Sequence, residues 1–266
     1  MDIEVVLKDS FAYAQEALVG KWTRWAIFVI LALPFSLIQF VVDPKKISNG
    51  MKMDWDAVPW GRIVILFFFG IILSFFISGY MVRIYRGVKP APDFTGWADL
   101  FIDGIKLAVV WFLWIVPFII VLLAEVAIAV TMYFSAPAAA PDTGMLLLVV
   151  LLILVALVLL VTVMLLGIIG AIRFARTGSI REGIRISAIV ATIRTMGWLS
   201  YSIALVIFAV TAIIYGIISS VLSFIPYIGW VLVLIIAPFF SIFFARYFTL
   251  VYDQGLPQAE PPVVAA

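Results

Sequence analysis

This sequence predicts an all-α polytopic membrane bundle: six transmembrane helices, with three amphipathic segments on one face. Three observations carry the prediction. The chain of 266 residues is 66% hydrophobic and 12% charged, with a mean hydropathy of +1.25; a soluble domain is about half apolar and a quarter charged. Six apolar runs are close to, or longer than, the roughly 20 residues that a bilayer requires. The basic residues gather in alternate connections between those runs.

Composition also sets limits. With no Cys there is no disulfide or thiol chemistry to read, and with no His the commonest general base and metal ligand are missing. A net charge of +2 is too small to argue for nucleic acid. The N-terminal stretch MDIEVVLKDSFAYAQEALVG has early acids and no continuous apolar core, so it does not read as a signal peptide. The first span is expected to direct insertion.

Residues 3–20 read as an amphipathic helix. At 100° per residue Glu4, Lys8, Ala12 and Gln15 form one stripe, with Val6, Leu7, Phe11, Ala14, Ala17 and Leu18 opposite. Such a helix either lies in the membrane interface or packs on the rest of the chain. Span 1 is placed at about Trp25–Val42 and span 2 at about Ile63–Met81, joined by the polar loop 43–61. Pro34 should kink span 1 or leave a carbonyl free. Ser74 and Ser78 offer a small-residue seam in span 2.

A second amphipathic segment follows Pro90 and Pro92. Thr95, Asp99, Asp103 and Lys106 share its narrow polar stripe, while Phe94, Trp97, Leu100, Phe101 and Ile105 cover the rest. Span 3, about Ile105–Phe134, holds Pro117 and Glu125; its start overlaps the surface segment. The loop 135–144 has no basic residue. Span 4 runs from about Met145 to Ile172 and ends near the small pair Gly167 and Ala171. The stretch from Arg173 to Gly197 then concentrates charge: Arg173, Arg176, Arg181, Arg185 and Arg194 against Glu182. Span 5, about Trp198–Leu222, carries Gly216 and Ser220. A tight uncharged turn leads to span 6, about Trp230–Thr249, with Pro238 inside. The tail 253–266 is expected to be disordered.

Orientation follows from the bases. Lys8, Lys21 and Arg24, then Arg83, Arg86, Lys89 and Lys106, then the five arginines after span 4, and finally Arg246 lie on one side. Lys45, Lys46, Lys52 and Arg62 lie on the other. The positive-inside rule puts both termini and all three amphipathic segments in the cytoplasm, and the protein in the cytoplasmic (inner) membrane. Residues 1–252 form a single membrane domain. Within it the pattern of amphipathic segment, odd span, outer turn, even span and terminal Arg recurs at about 3–86, 87–176 and 177–252, with Arg83, Arg173 and Arg246 closing the units. Weak identity between units leaves simple six-span alternation as the other explanation.

Few residues suggest chemistry. Glu125 is the one acid deep in a span, about 14 Å of helix from Phe134. An intramembrane ionisable group is a functional candidate by default, against the plainer role of meeting a polar partner. Asp99, Asp103 and Lys106 have the spacing of a surface ion-pair stripe, which outweighs a metal pair; no metal site is expected. The arginines at 173, 176, 181, 185 and 194 could contact anionic headgroups or a partner, or serve only as the topology signal. No phosphate loop, nucleophile elbow or HExxH motif is present, so no enzyme and no cofactor is expected.

One set of residues resembles a known family. Gly79-Tyr80-x-x-Arg83-x-x-Arg86, Trp97-Ala-Asp99-Leu-Phe101-Ile-Asp103-Gly104-Ile-Lys106 and Ile225-Pro226-x-x-Gly229-Trp230 look like a family of archaeal and bacterial membrane proteins known as a domain of unknown function, number four thousand and thirteen. The resemblance covers about residues 3–252, with a longer first outer loop here. It implies an integral membrane protein and brings no activity, substrate or catalytic residue.

Three functional expectations stand side by side. The first is a non-enzymatic structural, assembly or membrane-organising subunit acting through its cytoplasmic amphipathic helices. Its partners would be membrane lipids and either further copies of itself or a larger membrane complex. The second is a small-solute or ion permease using Glu125 and the proline-broken spans 1, 3 and 6. The third is a lipid-handling protein, with a lateral opening lined by the cytoplasmic helices.

Overall fold

The computed structural model describes residues 2–42, 48–49, 52–135, 143–226 and 228–255. These residues form an all-α polytopic bundle of nine helices: α1 Ile3–Leu18, α2 Trp22–Val41, α3 Trp60–Tyr85, α4 Trp97–Ser135, α5 Thr143–Thr177, α6 Ile180–Gly183, α7 Ile186–Met196, α8 Trp198–Ser223 and α9 Gly229–Asp253. Six of them, α2, α3, α4, α5, α8 and α9, are long and apolar enough to cross a membrane. In the first loop Ser48–Asn49 (β1) pairs antiparallel with Lys52–Met53 (β2). Most of loop 135–144 and all but the first residues of the C-terminal tail lie outside the described residues, as does Tyr227 in the turn before α9.

Two expectations are corrected. The second amphipathic segment is not a separate surface helix: α4 runs unbroken for 39 residues. Residues 97–106 are apolar over most of their circumference, so no wide polar face asks the chain to turn along the interface. The prolines do not break their spans either. Helix continues through Pro34, Pro117 and Pro238. Backbone loosened by a proline needs another partner in hydrocarbon. Near Pro238 the Trp25 indole of α2 donates to the Ile235 carbonyl at 2.6 Å and ties the two helices together.

The three even spans, α3, α5 and α9, touch one another pairwise and make the centre. The odd spans lie outside them. α2 packs on α3 and α9, α4 packs on α5 and α3, and α8 packs on α9. α9 is the hub: α1, α2, α3, α5 and α8 all rest on it. Lipid tails are as apolar as Leu, so close fit rather than hydrophobic burial selects these contacts.

The tightest fit is the crossing of α3 and α4. A Cβ on Gly79 would fall 1.8 Å from the Leu100 carbonyl oxygen, and one on Gly104 would fall 1.8 Å from that of Phe75. Two glycines therefore let the backbones touch, with Tyr80 and Leu100 fully buried beside them. The seams expected at Ser74/Ser78 and Gly216/Ser220 are not where the closest approaches occur. A Cβ on Gly216 would meet nothing within 4 Å, whereas Gly167 does seat the Trp111 ring, which would lie 3.0 Å from its Cβ.

Candidate functional site

The polar groups gather at one end of the bundle, where the even spans finish. An arginine closes each even span there, and each reaches the amphipathic segment of the next unit. Arg83 donates to the carbonyls of Asp93 at 3.1 Å and Thr95 at 2.7 Å, just before α4. Arg173 pairs with Glu182 of α6 at 2.7 Å and donates to the Thr192 hydroxyl of α7 at 3.1 Å. Arg246 pairs with Asp9 of α1 at 2.8 Å and lies over the Tyr13 ring at 5.0 Å. The third link returns to the first helix, so the contacts close a ring.

Further pairs thicken this layer. Arg86, just after α3, meets Asp103 of α4 at 2.8 Å and donates to the Ala175 carbonyl at 3.1 Å. Arg176 donates to the Tyr85 carbonyl at 2.7 Å and pairs with Asp253. Arg24, only 5% exposed, pairs with Asp93 and donates to the Ala17 carbonyl at 2.8 Å. Its Nε and the Tyr80 hydroxyl are buried with no partner among the described residues.

The charges respond to these neighbours. Burial alone would raise the Asp9 carboxyl, but the hydrogen bonds and charges of Arg246 and Lys89 outweigh it and hold it below the ordinary range. The hydrogen bond from Arg24 holds Asp93 down, and those from Arg173 and Arg185 hold Glu182 down. Burial pushes the Tyr13 phenol up to about 12; its hydroxyl donates to the Val88 carbonyl at 2.9 Å.

The structure therefore divides the residues singled out by sequence. Arg173 and Arg176 are engaged within the fold. Arg185 is exposed and shares Glu182 at 3.1 Å. Arg181 and Arg194 are exposed and form no ion pair among the described residues. Asp99 is exposed, while Asp103 is drawn to Arg86 rather than to Lys106. The buried roles of Arg24 and Arg246 and the part played by Asp9 escaped sequence reasoning. The available signal was Asp9 standing with Glu16 at the flank of the polar stripe, next to the apolar side of the first amphipathic helix.

Two of the cavities among the described residues lie between the spans. The central one, about 510 Å³, is walled by α3, α4, α5, α8 and α9; Met81, Trp111, Val163, Phe208 and Phe248 are among its lining. No charged side chain lines it. The second, about 320 Å³, lies toward the far end among α2, α3, α9 and the end of α8, and Ser36, Gln39, Ser74 and Ser223 bring polar groups to it. Ile77 lines both. Glu125 lines neither; its Oε1 is buried without a partner among the described residues.

A six-span bundle whose ion pairs, among the described residues, gather at one end and whose faces are otherwise apolar defines a multi-pass integral membrane protein. Residues 63–224, more than half of the chain, match the family described as "Protein of unknown function (DUF4013)". The chain belongs to that family. The matched stretch includes the Gly79–Arg86 and Trp97–Lys106 motifs and ends just before Ile225–Trp230. No curated protein and no solved structure matches the chain.

Proposed function

We propose that this is a non-enzymatic protein of the inner membrane, with both termini in the cytoplasm. Its role is that of a membrane-organising or assembly subunit that engages anionic lipid headgroups through its basic-end helices. The observation that carries the reading is a set of cations that stay exposed at the basic end, two of them in no ion pair among the described residues and one sharing Glu182. Arg181, Arg185 and Arg194 are exposed on and between α6 and α7, beside the exposed apolar side chains of Ile186, Trp198 and Leu199. Basic groups bordering apolar ones suit the headgroup boundary, and each is worth about 1 kcal/mol near an anionic leaflet.

Native mass spectrometry of protein taken from vesicles of equal phosphatidylglycerol and phosphatidylcholine tests it. The wild type should retain the anionic lipid preferentially, and Arg181→Gln/Arg185→Gln/Arg194→Gln should lose the preference. Equal retention of both lipids by the wild type would sink the headgroup reading. A monomer in mild detergent that captures no membrane partner would sink the assembly role.

The permease reading keeps one supporting observation, the polar-lined outer cleft beside Pro34. Its proposed acid stands apart from that cleft. Solute flux into proteoliposomes that disappears in Glu125→Gln would restore it.

A further inference from the structure

We infer that the central cavity is a binding site for one hydrocarbon chain of a membrane lipid, entered sideways between α5 and α8. The inference uses residues remote from the exposed arginines and does not rest on the headgroup reading.

The packing of the odd spans locates the entrance. α2 seats on its own hairpin partner α3 and on the preceding even span in the ring, α9. α4 does the same with α5 and α3. The equivalent seats for α8 are α9 and α5. It takes the first, but α8 and α5 are not among the closely packed pairs. What ties them is near the basic end, where the Tyr201 hydroxyl donates to the Leu165 carbonyl at 2.7 Å. Beyond that bond Val206 and Val210 of α8 are exposed, as are Leu157 and Val161 of α5. The cavity occupies the seat that α8 leaves. Phe208 is its contribution to the wall; Leu160, Val163, Met164 and Ile168 come from α5.

Three occupants can be weighed. Water needs two to four polar partners. The Ser241 hydroxyl is spent on the Ala237 carbonyl of its own helix at 2.9 Å, and the remaining lining is overwhelmingly apolar. A helix from a second copy is about 10 Å wide, so three turns of it fill about 1,200 Å³, more than twice the 510 Å³ present. A hydrocarbon chain fits both chemistry and size: ligand sites span about 300–1,000 Å³. The lining runs along the helices, from Ile77 to Tyr85 on α3 and from Ser241 to Phe248 on α9. That gives a slot about 12 Å long at 1.5 Å per residue. Lipid surrounds the bundle, so the chain is supplied from the adjoining bilayer.

The test uses the full-length protein in vesicles containing phosphatidylglycerol with a diazirine on one acyl chain. After illumination, labelled peptides should contain Met164, Phe208 or Phe248. In parallel, Ser241→Trp should fill the slot and lower labelling of those peptides at least fivefold, while Ser241→Ala leaves it unchanged. If Ser241→Trp fails to run as a single species on size exclusion, Phe208→Trp replaces it. Label confined to the outward faces of α5 and α8, or unaffected by a filling substitution, overturns the site. So does a cross-link between two copies through the cavity residues. Because the filling substitutions leave Arg181, Arg185 and Arg194 intact, an unchanged phosphatidylglycerol preference in Ser241→Trp separates this site from the headgroup surface.

Discussion

At the residue scale, the deciding feature is an arginine with almost no access to water. Arg246 is 4% exposed and meets a carboxylate that is itself partly open. Removing one member of a buried pair leaves the other charge desolvated, which costs about 3–5 kcal/mol. Lys89 also binds Asp9, at 2.6 Å, and the carboxylate keeps some solvent, so a smaller loss is expected. Asp9→Ala should lower the stability of the detergent-solubilised protein by about 2 kcal/mol, read as a fall in thermal midpoint. Glu4→Ala removes only the exposed pair with Lys8 and should change it by less than about 0.5 kcal/mol.

The same carboxylates give the protein a pH dependence. Asp9, Asp93 and Glu182 have folded-state values below the ordinary 3.8 and 4.5. A depressed acid contributes stability that is complete above its unfolded value and disappears as pH falls through its folded one. The thermal midpoint should therefore stay level across neutral pH, begin to drop once the pH passes below 4.5, the ordinary Glu value, and drop further below 3.8, the ordinary Asp value. A midpoint that rises on acidification would show that these pairs are not stabilising.

At the element scale, the contact of α3 with α4 depends on two missing side chains. Any Cβ at Gly79 or Gly104 meets backbone, which cannot swing aside as a flexible side chain can. Gly79→Ala and Gly104→Ala should each cost about 1–3 kcal/mol through overpacking. Gly216 is an internal control: its Cβ direction is open, so Gly216→Ala should be neutral or stabilising by up to about 1 kcal/mol from helix propensity. A thermal-shift series in one detergent checks all three. Similar losses at all three positions would mean that close approach is not the reason for the glycines. Another glycine matters for its backbone: Gly197 joins α7 to α8 at φ +85°, a conformation that a side chain would strain.

At the scale of the whole molecule, the ionic ring requires the ends of all three hairpins to sit on one side. The chain has no Cys, so single cysteines can report on that arrangement. In sealed inverted vesicles a maleimide should label Glu4→Cys and Arg194→Cys from outside, and Asp56→Cys only after permeabilisation. Glu4→Cys and Arg194→Cys appearing on opposite sides would end the six-span account. The molecule also joins two kinds of surface. One end is tied by ion pairs that cross between units, while the opposite halves of α4, α5 and α8 present Leu, Val and Ile to lipid. Restraint at one end leaves freedom for α8 to stand away from α5 at the other.

The helices themselves were legible in the sequence because hydrocarbon imposes a length and a polarity that few residue patterns meet. Every span but the third, and the first amphipathic helix, could be bounded to within about five residues from run length, Trp positions and flanking bases, whereas α4 starts at Trp97, well before the expected Ile105. Tertiary structure decided what those patterns touch. Seams chosen by small-residue spacing pointed to Ser74 and Gly216, but spacing says nothing about which neighbour arrives, and the close crossing fell at Gly79 and Gly104. Asp103 and Lys106 look paired along one helix; the nearer guanidinium came from α3. A cavity formed by the departure of one helix from another leaves no mark in either helix's sequence, since a lipid-facing Leu and a cavity-facing Leu read alike. Local periodicity fixes which residues can face hydrocarbon, and only the relative placement of distant helices fixes where protein ends and lipid begins.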